Sequence, residues 1–568
     1  MKKHLYLFLL PFLCVLSCQS QNVTDGVIDD TPFLNEKLTT INLKNHIATL
    51  ASDKFEGRET GTKGEQLSYD YITSQFKEIG LKPKGENGYL QPFPFTKETV
   101  IGEKTSLKLN EKKFKPGEDF FPLPYSANAT VTGDVVNVKY GITAPTLDYD
   151  DYRNRDVKGK IVMMELSSPD GSTPHSKYAE FADVRTKIEK AIEKGALAVI
   201  FVNSDKDTED PKAEYKNKIT PSSVPVVFAK SMAYKLLMDG TKPKAEISVE
   251  LKKVEATGHN VIGYLDNNAA ATIVIGAHFD HLGYGDDGSL YRGEPAIHNG
   301  ADDNASGSAA LIELARTLKN STDKSNNYLF IAFSGEEKGL LGSNYFVKHP
   351  TIDLKTVNYM MNMDMVGRLK KDERTLQVLG AGTSPAWKEV IEKINIDSVK
   401  IKESESGVGP SDHTSFYLSD IPVLHFFTGS HPDYHKPSDD EDKINYQGEI
   451  SVMKIILSII HQLNGKEKLA FTKTKDSDNS ETPRFKVTLG VVPDYAFEGE
   501  GMRIDGVSDG KPASKAGLKA GDIVIQLGEN KVLDMMSYMK ALGKFEKGDT
   551  ATVKVKRGNE TVDAQVTF

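Results

Sequence analysis

Cysteine and tryptophan are nearly absent from this chain of 568 residues. Its two cysteines, Cys14 and Cys18, both lie close to the N-terminus, and Trp387 is its single tryptophan. The body of the chain therefore has no disulfide, no thiol nucleophile and no cysteine-based metal site. At this length one hydrophobic core does not suffice, so we expect several domains.

Long hydrophobic runs and an excess of basic residues are missing as well. The stretch from Leu5 to Leu16 is too short to span a bilayer, and no later segment is apolar enough to do so. The formal net charge is -9 and no long basic stripe is visible, which argues against nucleic acid as the main partner. With 38% hydrophobic and 27% charged residues, the composition is that of a globular protein.

The first residues resemble an export signal. Two lysines precede the apolar stretch, and Val15-Leu16-Ser17-Cys18 resembles a bacterial lipobox. Such a signal is cut before the cysteine, so we expect residues 1–17 to be removed and Cys18 to carry a lipid that anchors the chain to a membrane. Gln19 fits sorting to the outer membrane, on its periplasmic or its surface face. The alternative is an ordinary secretory signal that is cleaved slightly later.

Histidine and carboxylate side chains of the kind that bind zinc recur in five short motifs. Most of these motifs follow an apolar run typical of a buried strand, as His278 follows Ile273–Ala277. Because ligands sit beyond the carboxyl ends of the strands in an open α/β sheet, we expect the motifs to share one edge of one sheet. Two imidazoles and three carboxylates suit a pair of zinc-like ions, with a position left open for water. The motifs are His278 and Asp280 in Gly-Ala-His-Phe-Asp-His-Leu-Gly, Asp303 in Ala-Asp-Asp-Asn-Ala-Ser-Gly, Glu336 and Glu337 in Phe-Ser-Gly-Glu-Glu, Asp364 in Asn-Met-Asp-Met-Val-Gly-Arg, and His435 in Asp-Tyr-His-Lys-Pro-Ser-Asp.

The spacing within each motif agrees with this chemistry. His278 and Asp280 are two residues apart, so on an extended backbone one binds metal while the other orients its imidazole. Glu336 and Glu337 are adjacent and point in different directions, so one binds metal while the other faces the water. The two oxygens of Asp303 allow it to bridge two ions. Singly, each motif also fits a core histidine, a surface glutamate pair or a helix cap; together, in this order, they favour a metal site.

From His259 to Leu463, strand-like runs alternate with helical patterns, for example Ser308–Leu318 and Ile450–Leu463. This alternation predicts an α/β fold with a mixed, mostly parallel sheet and helices on both faces. A helix is predicted over Leu67–Ile79, with Gly80 as its stop. The predicted catalytic domain comprises residues 18–128 and 252–465.

Residues 129–251 interrupt this domain. They contain short β-like runs and one amphipathic helix near Phe181–Lys194. The strings Val157-Lys158-Gly159-Lys160-Ile161-Val162 and Lys194-Gly195-Ala196-Leu197-Ala198-Val199-Ile200 resemble a protease-associated domain. The resemblance implies a β-rich α/β insert that acts as a lid or docking module and takes no part in catalysis.

The C-terminal part divides into a polar linker, residues 466–483, and a small β-rich unit, residues 484–568. The string Ala-Gly-Leu-Lys-Ala-Gly-Asp within this unit resembles a bacterial PDZ domain, and Met536–Leu542 is a candidate short helix. The resemblance implies that an extended peptide adds to a sheet edge and that its terminal carboxylate is captured near Leu489–Gly490. The alternative is a packing domain without a ligand.

Taken together, the motifs resemble those of the co-catalytic dizinc aminopeptidase family, which includes bacterial leucyl-type aminopeptidases and glutamate carboxypeptidases. The resemblance covers residues 43–101 and 259–463 and implies the zinc exopeptidase fold with two Zn²⁺ per chain. It implies that His278 and Asp364 hold one zinc, that Glu337 and His435 hold the other, and that Asp303 bridges both.

The same resemblance implies a mechanism. A hydroxide that bridges the two metals attacks the peptide, Glu336 is the general base, Asp280 orients His278, and Tyr434 hydrogen-bonds the oxyanion in some members of the family. The leading interpretation is an exported metallo-aminopeptidase that removes N-terminal residues from peptide substrates.

Three alternatives stay open. A carboxypeptidase or dipeptidase of the same fold needs a positive cluster, and Arg368 could hold a substrate carboxylate or pair with a nearby acid. A peptide-binding scaffold would depend on the PDZ unit and retain only a vestigial metal site. Glutaminyl cyclase shares the fold but uses one zinc, whereas the retained Asp303, Glu337 and Asp364 favour two.

Several other residues lie near the motifs without a reason to be ligands. His281 and His425 are interpreted as structural or as outer neighbours of the site. His413 is expected near the pocket, His431 is close to His435 and could contact substrate, and Trp387 is expected to pack on a helix face.

Overall fold

The computed structural model describes residues 34–171, 176–206, 208–215, 221–239, 243–474, 487–493, 499–507, 511–533, 535–558 and 560–568. The predicted export signal with Cys18 lies outside these residues, as does the linker from residue 475 to residue 483.

The described residues form twelve α-helices. They are α1 (Glu36–Leu50), α2 (Lys63–Ile79), α3 (Ala179–Ala182), α4 (Val184–Glu193), α5 (Ser231–Met238), α6 (Gly307–Asn320), α7 (Leu341–Lys348), α8 (Pro385–Ile391), α9 (His413–Tyr417), α10 (Tyr446–Leu463), α11 (Pro512–Lys515) and α12 (Met535–Leu542).

The first strands along the chain are β1 (Lys82–Pro83), β2 (Leu90–Ile101), β3 (Ser106–Leu109), β4 (Lys112–Phe114), β5 (Phe120–Pro122), β6 (Thr130–Asn137), β7 (Thr143–Ala144), β8 (Tyr149–Asp150), β9 (Ile161–Glu165), β10 (Ala198–Val202), β11 (Val226–Ala229), β12 (Lys244–Ser248) and β13 (Leu251–Leu265). The remaining strands are β14 (Thr272–His278), β15 (Asn327–Phe333), β16 (Val357–Met363), β17 (Thr375–Leu379), β18 (Lys400–Ser404), β19 (Val423–Phe427), β20 (Val491–Pro493), β21 (Met502–Val507), β22 (Ile523–Leu527), β23 (Asn530–Lys531), β24 (Thr550–Arg557) and β25 (Glu560–Thr567).

The largest sheet has four parallel strands at its centre. Its order is β1-β13-β15-β14-β16-β19-β17-β18, and β2 also pairs with β13. Strands β15, β14, β16 and β19 are parallel to one another, and β13 and β17 join this group antiparallel. Every residue of β14, β15 and β16 is buried, which explains why these strands read as continuous apolar runs.

Helices cover both faces of this sheet, as predicted. Alternate residues of β14 enter two different cores. Ile273 and Ile275 pack with residues from α1, α2, α6 and α10, whereas Val274 packs with residues from α7 and α9. The predicted α/β fold with a mixed sheet is therefore confirmed. The predicted stop of α2 is confirmed too, because Gly80 takes a φ of 82° that favours glycine.

The strands of a second sheet all lie between β2 and β13 in the chain. Strands β2 and β13 themselves form a long antiparallel pair, and the second sheet has the order β4-β3-β12-β6-β9-β10-β11-β5. It includes β3, β4 and β5, which precede residue 129, where the sequence placed the start of the insert. These strands have three or four residues each, and β3 and β4 contain lysines, so they give little periodic signal. The predicted helix near Phe181–Lys194 is interrupted at Asp183, whose carboxylate caps α4 by accepting the N–H of Thr186 at 3.0 Å.

The C-terminal unit has its own small core. Its sheet has the order β20-β21-β22-β24-β25, with β23 beside β22. Val524, Val553 and Val555 are buried in this core together with Tyr538 of α12. Among the described residues of the whole chain, no helix combines the length and the apolar character that a bilayer crossing needs.

Candidate metal centre and cleft

The polar motifs meet at one edge of the large sheet. His278 is the last residue of β14, Asp364 directly follows β16, and Glu336 and Glu337 follow β15. A longer loop after β19 carries His435. Because these four strands are parallel neighbours, their carboxyl ends bring the side chains together.

Two groups of donor atoms share the carboxylate of Asp303. In the first group, His278 Nε2 lies 3.2 Å from Asp364 Oδ1 and 3.5 Å from Asp303 Oδ1. In the second group, His435 Nε2 lies 3.2 Å from Asp303 Oδ2 and 3.3 Å from Glu337 Oε2. Each oxygen of Asp303 therefore faces a different group, which is the arrangement of a bridging carboxylate.

The separations between these donors fit zinc. Two ligands bound tetrahedrally at about 2.0–2.1 Å from one zinc ion lie about 3.4 Å apart. The distances within both groups, 3.2–3.5 Å, match this value. Four carboxylates also share this buried volume, and cations would offset their mutual repulsion. They are Asp303, Glu336, Glu337 and Asp364.

His281, interpreted from sequence as structural or as an outer neighbour of the site, directly contacts one of the donor residues. Its Nδ1 is 2.9 Å from Glu337 Oε1 and 3.9 Å from Asp303 Oδ2, so it also groups with these two carboxylates as a set able to hold a metal. The ring is edge-on to His435, with 5.8 Å between ring centroids. As a hydrogen-bond donor, His281 orients Glu337 toward His435.

Asp280 supports both His278 and the glutamate loop. Its backbone carbonyl oxygen lies 3.2 Å from His278 Nδ1 as a hydrogen-bond acceptor, and its Oδ1 lies 3.6 Å from the same nitrogen and accepts the N–H of Glu336 at 3.2 Å. Its Oδ2 accepts the hydroxyl of Thr60 at 3.0 Å. With Nδ1 held on this side, Nε2 of His278 points at the carboxylates.

The two adjacent glutamates have opposite electrostatic environments. Burial raises the pKa of Glu336 well above its usual value, the carboxylates of Asp364 and Glu337 add to the rise, and His278 opposes it. Burial also acts to raise the pKa of Glu337, but the imidazoles of His435 and His281 outweigh burial and hold it well below its usual value. Such a separation is typical of a proton acceptor beside a ligand.

Tyr434 stands beside the second donor group. Its ring stacks on that of His435, with 3.8 Å between ring centroids. Burial raises the pKa of Tyr434 well above its usual value, and the carboxylates of Asp303 and Glu337 raise it further. The hydroxyl therefore stays protonated and able to donate.

Two residues that sequence reasoning did not single out hold the Asp303 turn in place. Arg58, fully buried, donates to the carbonyl oxygens of Phe279 at 2.7 Å, Asn299 at 2.6 Å and Gly300 at 2.9 Å. Asp439 Oδ2 accepts the backbone N–H groups of both Asp302 and Asp303 at 3.0 Å. The one sequence signal for Asp439 is its place four residues after His435.

Other residues near the site have partners within the protein. Arg368 donates to Asp433 at 3.3 Å and lies 3.9 Å from Asp439. His431 lies 3.2 Å from Asp302. His413 and His425 stack at 4.4 Å between ring centroids, and His425 also lines the same cavity as the donor groups. Trp387 is buried against Tyr359, as expected of a packing residue.

The donor groups form the floor of a cavity of about 480 Å³. Its walls are largely apolar, and no lysine or arginine is among the described residues that line it. Two wall residues, Val491 and Pro493, come from β20 of the C-terminal unit. The apolar residues from the catalytic domain are Leu290, Leu340, Met365, Leu379, Pro410 and Phe427.

Three family models match separate parts of the chain. Residues 260–460 match Peptidase family M28, residues 131–237 match the PA domain, and residues 471–568 match the PDZ domain. The match to Peptidase family M28 spans the segment that carries all the donor residues.

Curated relatives are aminopeptidases by name. Aminopeptidase YwaD of Bacillus subtilis (strain 168) is 29% identical over 373 residues, which are 61% of this chain and 74% of that protein. A probable lipoprotein aminopeptidase, LpqL of Mycobacterium tuberculosis, is 24% identical over 473 residues, which are 76% of this chain and 86% of that protein.

Solved structures that are similar to this chain include an aminopeptidase from Aneurinibacillus sp. strain AM-1. It is 26% identical with a TM-score of 0.41, and the match covers 77% of this chain and 96% of that chain. BSAP, a zinc aminopeptidase from Bacillus subtilis, is 22% identical with a TM-score of 0.43 and covers 76% of this chain and 98% of that chain. With the peptidase family match and a donor set suited to zinc, the chain is an enzyme, a zinc-dependent exopeptidase.

Proposed function

We propose that the chain is an exported dizinc aminopeptidase that removes N-terminal residues from peptides. The observation that carries the choice of the amino end is the character of the cleft. The described residues that line it include no lysine or arginine to hold the C-terminal carboxylate of a peptide, and the relatives that the chain resembles are aminopeptidases by name.

The donor geometry supports a site for two ions. His278 and Asp364 would hold one zinc, Glu337 and His435 the other, and Asp303 both. Bound zinc would supply Lewis acidity toward the scissile carbonyl and would lower the pKa of water.

The chain's own residues then move the proton and hold the charge. Glu336 is not needed by either donor group and has a raised pKa, so it accepts a proton from the attacking water and later passes it to the leaving amine. The hydroxyl of Tyr434 donates a hydrogen bond to the oxygen on which negative charge develops. Asp280 keeps His278 in the required orientation.

The walls of the cleft support a preference for apolar N-terminal residues. Met365, Leu379, Pro410 and Phe427 surround the cavity above the donors. A leucine-like or methionine-like side chain placed there loses its contact with water, which favours binding by about 1.5–3 kcal/mol.

We also propose that the chain is exported and lipid-anchored through Cys18, on either face of an outer membrane. The lipobox-like string that ends at Cys18 supports this, as does the name of the lipoprotein aminopeptidase to which the chain is similar.

End-group blocking tests the choice of the amino end. The protein without residues 1–18 is incubated with pairs of peptides that differ only in N-terminal acetylation, and released amino acids are identified. We expect chelator-sensitive release of the first residue from the unblocked peptides alone. Release of C-terminal residues from the acetylated partners would instead establish a carboxypeptidase and refute the proposal.

A further inference from the structure

The catalytic cavity does not end at the catalytic domain. Its floor consists of the metal donors, and its wall includes Val491 and Pro493 of β20. The strand β20 therefore belongs both to the small sheet of the C-terminal unit and to the cleft above the metal centre.

The strand β20 is at the end of its sheet. It pairs antiparallel with β21, with Val491 opposite Val507, and β20 is the first strand in the sheet order. Among the described residues, no strand pairs with its other side. Its backbone thus offers an edge that another extended chain can join. Pro493 fits this position, because proline within a sheet is confined to edges.

A free strand edge suits an aminopeptidase because its substrates are peptides with varied side chains. Pairing through the backbone binds a peptide largely independently of its side chains. When the first residue of a peptide lies over the metal donors, the residues that follow it must run out of the cavity along one of its walls. These residues are extended and therefore contact that wall. The continuity of the cavity from His278 to Val491 provides such a path.

We propose that the free edge of β20 is part of the substrate cleft and pairs with the peptide being trimmed. The peptide's first residue lies at the metal centre, and the residues that follow it add to β20 as an extra strand. The occupant of this edge is therefore the substrate itself. This inference rests on the proposed aminopeptidase function and adds to it a preference for peptides long enough to reach β20.

Binding as a function of length tests the proposal without turnover. The zinc-loaded full chain with Glu336→Gln is titrated with unblocked peptides of two to eight residues, and the dissociation constant is measured by calorimetry. Since β20 is short, it offers few backbone bonds, and we expect affinity to improve about tenfold with length and then level off. Affinity that is independent of length, or that falls with length as it would beneath a closed lid, overturns the proposal.

The same titration separates this inference from the proposed function. If the unaltered enzyme trims peptides from the amino end but the length series is flat, only the role of β20 fails. If affinity rises with length but no N-terminal residue is released from any peptide, the proposed activity fails.

Ester substitution in the peptide provides a signature specific to strand pairing. An ester in place of one backbone amide removes a single N–H donor, and a strand uses alternate residues to bond a given neighbour. Scanning the ester along the peptide, we expect a loss of about two- to tenfold in affinity at every second position beyond the first residues. Equal affinities for all the esters contradict strand addition, and this measurement needs no further variant to fold.

A pair of matched substitutions places the effect on β20. Val491 on β20 and Val562 on β25 are both partly buried valines on the two opposite edge strands of the same sheet. We expect Val491→Lys to reduce the ratio of kcat/KM for long peptides to kcat/KM for dipeptides about tenfold, and Val562→Lys to keep that ratio. An equal ratio in the two variants would show that the β20 edge is not used.

Discussion

Adjacent residues in this site differ in chemistry because their neighbours differ. Glu337 lies between two imidazoles that keep it ionised, whereas Glu336 faces the carboxylate of Asp364 and has its pKa raised mainly by burial. Nothing in the sequence Glu-Glu distinguishes the two side chains. Their positions after β15 and the opposite directions of consecutive side chains create the difference.

The first prediction concerns Glu336→Gln. This substitution removes a proton acceptor but leaves both donor groups intact, so zinc content should stay at the wild-type level while kcat falls about 10²–10⁴-fold. Turnover numbers and metal content measured on one sample check it. The matched substitution Glu337→Gln should lose zinc. If Glu336→Gln retains wild-type turnover, another group is the base.

The second prediction concerns Asp303→Asn. An amide offers one oxygen where the carboxylate offers two, and it carries no charge, so the shared position between the donor groups is lost. We expect the purified variant to retain less than half of the wild-type zinc, as measured by elemental analysis. The exposed Asp286, changed to asparagine in the same way, should leave the zinc content unchanged. Equal zinc in Asp303→Asn and wild type excludes a bridging role.

Most of the candidate donors could be predicted from sequence because they follow apolar strands, as His278, Glu337 and Asp364 do. Arg58 could not, since it precedes the first donor by more than two hundred residues and acts through backbone carbonyls rather than through a motif. His281 was noticed but interpreted as an outer neighbour, and its 2.9 Å contact with Glu337 depends on the fold of the loop after β14.

At the scale of elements, the turn before α6 determines where Asp303 points. The N–H groups of Asp302 and Asp303 both donate to Asp439, and Arg58 binds the preceding carbonyl oxygens. Because the turn has buried partners on both sides, it aims the carboxylate of Asp303 between His278 and His435.

The third prediction tests this support. In Asp439→Asn, the side chain loses its charge and one of its acceptor oxygens, so the turn loosens. Changes in partners that orient ligands typically cost about 10–100-fold in metal affinity. Competition with a zinc-selective chelator measures this affinity. The exposed Asp442, changed to asparagine, is the control, and identical affinities for the two variants would contradict the supporting role of Asp439.

The elements differ in how far the sequence predicts them. The central strands β14, β15 and β16 could be predicted because both of their faces are buried and their residues are almost continuously apolar. Strands β3 and β4 could not, because half of their residues are exposed or polar, and β12, which pairs with β3 on the side away from β4, lies more than a hundred residues away. The insert sheet therefore reaches further upstream than composition indicated.

At the scale of the whole molecule, the C-terminal unit approaches both other parts of the chain. Val491 and Pro493 line the catalytic cavity. Asp183 of the insert has its pKa raised mainly by burial and in part by Asp549 and Glu546 of the C-terminal unit. The sequence indicates a separate C-terminal domain but contains no signal for these contacts, because residues that meet across domains share no periodic pattern.

The fourth prediction concerns the proposed lipid anchor. In cells that process bacterial lipoproteins, Cys18→Ser should move the protein from the membrane fraction to the soluble fraction, because the lipidated thiol is lost. Fractionation followed by immunoblotting measures this. Cys14→Ser is the matched control, since residue 14 lies in the segment expected to be removed. If both variants stay with the membrane, Cys18 does not anchor the chain.

The most direct test of the central claim is a zinc titration of the metal-free enzyme. Release of the first residue from an unblocked peptide is followed as zinc is added in known equivalents, with the acetylated peptide as a parallel substrate. The dizinc aminopeptidase account predicts that activity on the unblocked peptide rises until about two equivalents are bound and that the acetylated peptide stays intact. Full activity at one equivalent, or cleavage of the acetylated peptide, would contradict it.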